Sequence, residues 1–150
     1  MSLRVRPLAE ADVAAAVDVI IGGSTKPENE QPARLDLYWA AVQETRSRRG
    51  EVLVAELHAE VVGVVQVLIF QHFQHAGGWC AEIESVHVRA DARNQGIGAA
   101  LLDAAETLAI ERGCYRVQLT SNNVRQEAHR FYADHGYVSS HQGFKKHFSP

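Results

Sequence analysis

The stretch Val86-His-Val-Arg-Ala-Asp-Ala-Arg93-Asn-Gln-Gly96-Ile-Gly98 reads as the end of a strand, a short loop and the start of a helix. Gly96 and Gly98 allow backbone angles that other residues resist, and they let a ligand approach the chain closely. The first turn of the helix they open carries N–H groups with no helical acceptor, at the positive end of the helix dipole. Such a turn is a ready site for phosphate oxygens. Arg93 adds a positive charge at its mouth. The run Arg93, Asn94, Gln95, Gly96, Ile97, Gly98 and Ala99 therefore suits a diphosphate.

Three nucleotide motifs compete for this turn. Gly96-Ile-Gly98-Ala-Ala-Leu101 imitates GxGxxG, but bulky Leu101 stands where a small residue is needed for close helix packing. A Walker A loop requires GK[ST] at its end, and the chain has none there. The pattern that remains is Arg93-x-x-Gly96-x-Gly98.

Working outward, Cys80 to Arg89 forms the preceding strand. Its apolar residues change parity, with Ile83 odd and Val86 and Val88 even, so a β-bulge is expected near Glu84-Ser85. On the other side, Ile97 to Arg112 has a helical stripe of Ile97, Leu101, Ala105 and Leu108, with Gly113 as a C-cap. Tyr115, Val117 and Leu119 alternate in a further strand, and a helix from about Val124 to His135 stops at Gly136. Tyr137 to Phe148 supplies final extended pieces.

Towards the N-terminus, Leu3 to Arg6 is a short strand ended by Pro7. Ala9 to Ile21 and Ala33 to Arg49 are helices, closed by Gly22-Gly23 and by Gly50 and separated by a polar loop. Glu51 to Leu57 and Val61 to Gln71 are strands joined by a tight turn at His58-Ala59-Glu60. The second of these is almost continuously apolar, as in a strand buried on both faces. The order β-α-α-β-β-β-α-β-α-β implies a mixed sheet with helices on both faces, in a single domain over 1–150.

A chain of 150 residues, 46% hydrophobic and 22% charged, has enough apolar mass for one core. Its formal charge of -3 favours neither nucleic acid nor an anionic membrane. Cys80 and Cys114 lack metal or disulfide spacing, and no apolar run is long enough to span a bilayer. A cytoplasmic protein is the expectation. His72-x-x-His75 has no carboxylate partner at metal-site spacing, so no metal is expected.

A second motif, Ala128-His-Arg-Phe131-Tyr132-Ala-Asp-His-Gly136-Tyr137, follows about thirty residues after the glycine turn. With Arg93-x-x-Gly96-x-Gly98 it resembles the two hallmarks of the GCN5-related N-acetyltransferase (GNAT) superfamily. That resemblance implies an α/β (α+β) fold, with a mostly antiparallel sheet of six to seven strands and helices on both faces. It also implies acetyl-CoA as co-substrate, with its pyrophosphate at Arg93 to Ala99. The backbone of Val86 and Val88 would bind the cofactor, and Asn123, Ala128 and Phe131 would lie along it. Many relatives carry Asn where this chain has Arg125, so Asn122 or Asn123 would take over that hydrogen bond. That Arg125 variant, together with Ile83-Glu84 and His141 to Lys145, looks similar to aminoalkylphosphonate-type acetyltransferases.

The implied reaction is direct transfer of acetyl to a primary amine of a small molecule (polyamine-, amino-acid- or aminophosphonate-like) or of a protein. Val86 N–H would polarise the carbonyl. Glu84, or Glu82 or a water, would accept the ammonium proton. Tyr132 would stand beside the sulfur. Reference pKa values of about 10 for Tyr and about 8.5 for a thiol make full proton transfer uphill by roughly 2 kcal/mol, so Tyr132 stabilises the thiolate more than it protonates it. A non-catalytic acyl-CoA sensor and a nucleotide-binding module are the rival readings. Dimerisation through sheet edges or the C-terminal strand comes from the resemblance alone. Glu28, Glu30, Tyr38 and Trp39, the 71–79 loop and the tail from His141 are the candidate walls for the acceptor.

Overall fold

Short strands rich in Val and Leu alternate with Ala- and Leu-rich helices, and the computed structural model, which describes residues 2–149, arranges them in two compact units, 2–119 and 120–149. The first unit runs β1 (Leu3–Pro7), α1 (Val13–Gly23), α2 (Leu35–Ser47), β2 (Glu51–Leu57) and β3 (Glu60–Gln71). A single turn, α3 (Gln74–Gly77), follows, with His75 and Ala76 in the left-handed region (φ 55° and 54°). Then come β4 (Trp79–Val88), α4 (Ile97–Glu111) and β5 (Cys114–Leu119). The second unit holds α5 (Gln126–Asp134).

The sheet has the order β1-β2-β3-β4-β5. The first three pairings are antiparallel, and β4 with β5 is parallel. The parallel pair needs a crossover, and α4 supplies it. Among the described residues the sheet has five strands, fewer than the six to seven expected. The shortfall lies in Tyr137 to Phe148, which shows no ladder. Apolar residues there are scattered among Ser, His, Gly and Lys, so no face repeats with the period of two that a paired strand needs.

β3 is buried on both faces: Val62, Val64, Val65 and Val67 are 0–2% exposed. Val52, Val54 and Val64 join Val13, Ala16, Val17 and Val42 in a core beneath α1 and α2. On the opposite face, a Cβ on Gly63 would meet Leu101 and Ile97 of α4 at 2.9 and 3.2 Å. The buried stripe of α4 is Ile97, Leu101, Leu102, Ala105 and Ala109; Leu108, expected in it, is only half-buried.

The His58-Ala59 turn is left-handed at both residues (φ 52° and 65°), the geometry that matches the twist of a two-residue hairpin. At the end of α2 the left-handed residue is Arg49 (φ 72°) rather than Gly50. Gly50 is needed for space instead, because a Cβ there would run into the Val67 carbonyl oxygen.

Candidate functional site

The site is built on one strand–turn–helix unit. In the β3–β4 ladder Gln66 pairs with Glu84 and Val64 with His87, so Val65 alone faces both Ser85 and Val86. This is the bulge expected from the parity change. Ser85 takes a left-handed angle (φ 56°), and the backbone groups of Ser85 and Val86 fall out of register with the ladder.

The turn after β4 is pinned from below. Ala92 and Ile97 are each 2% exposed, and the N–H of Ala92 donates to the Arg89 carbonyl (2.9 Å). Between these anchors the chain folds outward through Asn94 (φ 63°) and Gly96 (φ 79°). A Cβ on Gly96 would meet nothing within 4 Å, so glycine is required there by its dihedral angle alone. Gly96 is the N-cap of α4 and has no side chain to cap it; Ala100 N–H makes a helical bond back to the Gly96 carbonyl (3.0 Å). The N–H groups of Ile97, Gly98 and Ala99 precede that bond and have no acceptor within the helix. Arg93 Nε donates to the Val88 carbonyl (3.2 Å), holding an exposed guanidinium over the turn.

Val86, Val88 and Arg93 to Ala99 thus stand together, with Glu84 immediately before the bulge. Glu84 is exposed. Glu82, two residues back, is half-buried; its Oε1 accepts from Gln118 Nε2 (3.0 Å) and its Oε2 is buried with no hydrogen-bond partner. A buried carboxylate oxygen without a donor is costly unless a ligand or water satisfies it.

In the second unit, Ala128 and Tyr132 are four residues apart on α5 and so share a face, with Phe131 beside them. The rings of Phe131 and Tyr137 pack against Tyr132 at 5.4 and 5.9 Å. Asn122 Oδ1 accepts from Val124 N–H (3.0 Å) and the Asn122 carbonyl from His129 Nε2 (2.9 Å), so Asn122 is occupied in building the turn before α5. Asn123 is exposed. Ser121 Oγ is buried and unpartnered, a feature that no sequence pattern marks.

Gln66 and the Ser85 side chain were not among the site residues expected from the sequence. Gln66 was the one polar break in the apolar run of β3, and its amide donates to Thr45 Oγ1 on α2 (3.0 Å). His72 Nδ1 contacts the Tyr115 hydroxyl (2.8 Å).

The sequence model of the acetyltransferase (GNAT) family matches residues 16–137, which include the bulge, the glycine turn and the α5 motif. This chain belongs to the GNAT family. Among curated relatives, the aminoalkylphosphonate N-acetyltransferase of Salmonella typhimurium is 39% identical over 89 residues, covering 59% of this GNAT chain and 57% of that protein. The matched segment is therefore little more than half of that relative's length. A crystal structure from Bacillus halodurans C-125, described as a transcriptional regulator, superposes with TM-score 0.90 at 33% identity, covering 98% of this chain and 100% of that one. Glucosamine-6-phosphate N-acetyltransferase from Arabidopsis thaliana superposes with TM-score 0.80 at 18% identity over 99% and 100% of the two chains, a likeness of fold.

Proposed function

We propose that this GNAT protein is one acyl-CoA N-acyltransferase domain that moves acetyl from acetyl-CoA directly to a primary amine of a small molecule. The observation that carries the reading is the pairing of an irregular strand with an uncapped helix entry in one continuous segment. Diphosphate oxygens accept from the N–H groups of Ile97, Gly98 and Ala99, with Arg93 countering the charge. The thioester arm runs past Val86, whose backbone falls out of register at the bulge, and past Val88, beyond the point at Ile83 where the β4–β5 ladder ends.

The neutral amine attacks the thioester carbon, forming the C–N bond. The carbonyl oxygen gains charge, which Val86 N–H stabilises. The amine proton leaves to a carboxylate, the C–S bond breaks, and the departing thiolate, for which Tyr132 is the candidate hydrogen-bond donor, takes a proton from solvent and ends as the free thiol. Glu84 stands by the bulge and is the first candidate base. Glu82, with an unsatisfied buried oxygen, is the second, directly or through water. Burial pushes the Cys114 thiol up, and neither Cys114 nor Cys80 falls in the glycine turn or the α5 motif, which favours direct transfer over a covalent acyl-enzyme.

Release of thiol from acetyl-CoA, followed with each of a panel of amines, tests the reading. Tyr132→Phe is expected to lower kcat at least tenfold with little change in melting temperature. Glu84→Gln and Glu82→Gln compared side by side identify the base as the one whose loss removes the acid limb of the pH profile. A non-catalytic acyl-CoA sensor is the second reading, and the description of the Bacillus halodurans neighbour as a regulator favours it. Acetyl-CoA binding with no thiol release from any amine would establish that reading instead.

A further inference from the structure

The bulge opens onto a cavity of about 190 Å³ within the first unit, bounded by α1, α2, β2, β3 and the loop before α2. Its walls are aliphatic, including Val13, Val17, Ile20, Val42 and Val64. Four residues bring polar atoms: Glu30, Tyr38, Gln66 and Ser85. Glu30 is its one charged lining residue, and no Lys, Arg or His lines it, among the described residues. A larger cleft of about 410 Å³ adjoins it across Ala41 and Gln66 but includes no bulge residue.

Glu30 is held in place rather than left to wander. Its own N–H donates to the Pro27 carbonyl (3.0 Å), its Oε1 accepts from the Tyr38 hydroxyl (3.0 Å), and that hydroxyl accepts from Gln31 N–H (2.7 Å). A carboxylate fixed at an apolar cavity attracts a cation and repels an anion. A phosphonate or carboxylate entering the cavity would lose its water and find no positive partner, a large penalty. A cavity of about 150 Å³ takes a benzene, so this one takes a body of roughly six to eight heavy atoms.

We propose that this cavity is the acceptor pocket and that it selects primary alkyl- or arylalkylamines with a compact, uncharged body, against aminophosphonates and amino acids. The proposal rests on the acetyl-transfer reading above and departs from the acceptor named for the Salmonella typhimurium relative. Ser85 places the reacting end of the amine beside the bulge, the aliphatic walls take its body, and Glu30 draws in its cationic form.

The test compares matched acceptors in the thiol-release assay: butylamine with 3-aminopropylphosphonate, and 2-phenylethylamine with phenylalanine. The expected kcat/KM is at least tenfold higher for the member of each pair without an anion. Glu30→Gln is expected to raise KM for the amines about tenfold while leaving KM for acetyl-CoA unchanged. Ala41→Phe, on the exposed side of α2, is expected to block the cavity without disturbing the core. Preference for the phosphonate or the amino acid, or indifference to both variants, overturns the proposal while leaving acetyl transfer standing. If no amine supports thiol release, calorimetric binding of 2-phenylethylamine decides the pocket separately. Binding that Ala41→Phe abolishes and Glu30→Gln weakens supports it; absence of binding overturns it.

Discussion

Gly96 and Gly98 lie two residues apart, yet substitution should separate two different kinds of cost. Gly96 sits at φ 79° with open space around its missing Cβ. Alanine there meets no clash, but a left-handed angle costs an L-residue about 1–2 kcal/mol, partly offset by about 0.4–1 kcal/mol from a less flexible unfolded chain. The net loss is at most about 1.6 kcal/mol, or up to roughly 6 °C in melting temperature for a chain of this size. Gly98 is the second residue of α4, with helical backbone. Glutamate suits the first turn of a helix, so Gly98→Glu is expected to fold with an unchanged or slightly raised melting temperature. It puts a carboxylate where the diphosphate is proposed to bind. At a ligand concentration one hundred times Kd, acetyl-CoA stabilises the wild type by about 2.7 kcal/mol, and a tenfold loss of affinity cuts that to about 1.4 kcal/mol. Thermal melts with and without acetyl-CoA therefore give opposite signatures. Gly96→Ala lowers the ligand-free melting temperature and keeps most of the ligand shift; Gly98→Glu keeps the former and loses half or more of the latter. A folded Gly98→Glu protein with the full ligand shift refutes the reasoning, because the first-turn N–H groups would then not be the diphosphate site.

Gly50→Ala forces a methyl into the Val67 carbonyl and to 2.9 Å from Thr45 Cγ2, both on packed elements, and is expected to cost roughly 3 kcal/mol in denaturant unfolding. Gly63→Ala crowds Leu101 Cδ1 and Ile97 Cγ2 at 2.9 and 3.2 Å, where side chains can give way, so about 1–3 kcal/mol is expected in the same measurement. Arg6 donates to Asp12 Oδ2 (2.6 Å) and Glu56 Oε1 (2.9 Å), and its hydrogen bond holds the Asp12 carboxyl below the usual range. A depressed folded pKa gives stability that is fully present above the unfolded carboxylate value and is lost as pH falls from there through the lower folded value. Asp12→Asn is accordingly expected to cost about 1 kcal/mol at pH 7 and much less near pH 3, with melting curves at the two pH values as the check.

How much of the site was legible follows from where its parts lie. The bulge was visible because a change of parity among Ile83, Val86 and Val88 is a property of adjacent residues. The helix entry was visible because Gly96 answers to its own dihedral angle. Glu82 was harder to read. Its pairing with Gln118 comes from the parallel register of β4 and β5, and no spacing along the chain announces that a carboxylate oxygen will be buried without a donor. The Arg46 guanidinium, near the end of α2, donates to the Leu8 carbonyl (2.5 Å) and to Glu51 Oε1 (2.6 Å), joining α2 to the segments on either side, a role that its place in the sequence does not announce.

The chain by itself determined the main strands and helices through α5, the strand irregularity and the open turn at Gly96, but not the absence of a strand after α5, since periodicity and backbone preference act over a few neighbouring residues. Tertiary structure decided the rest. It gave the sheet five strands among the described residues, gave Gly50 its steric role, and gathered Glu30, Tyr38, Gln66 and Ser85 from four separate segments around one apolar cavity. Residues that meet only through packing leave no periodic trace in the order in which they are linked, so a cavity's charge can be read only once its walls have been folded together.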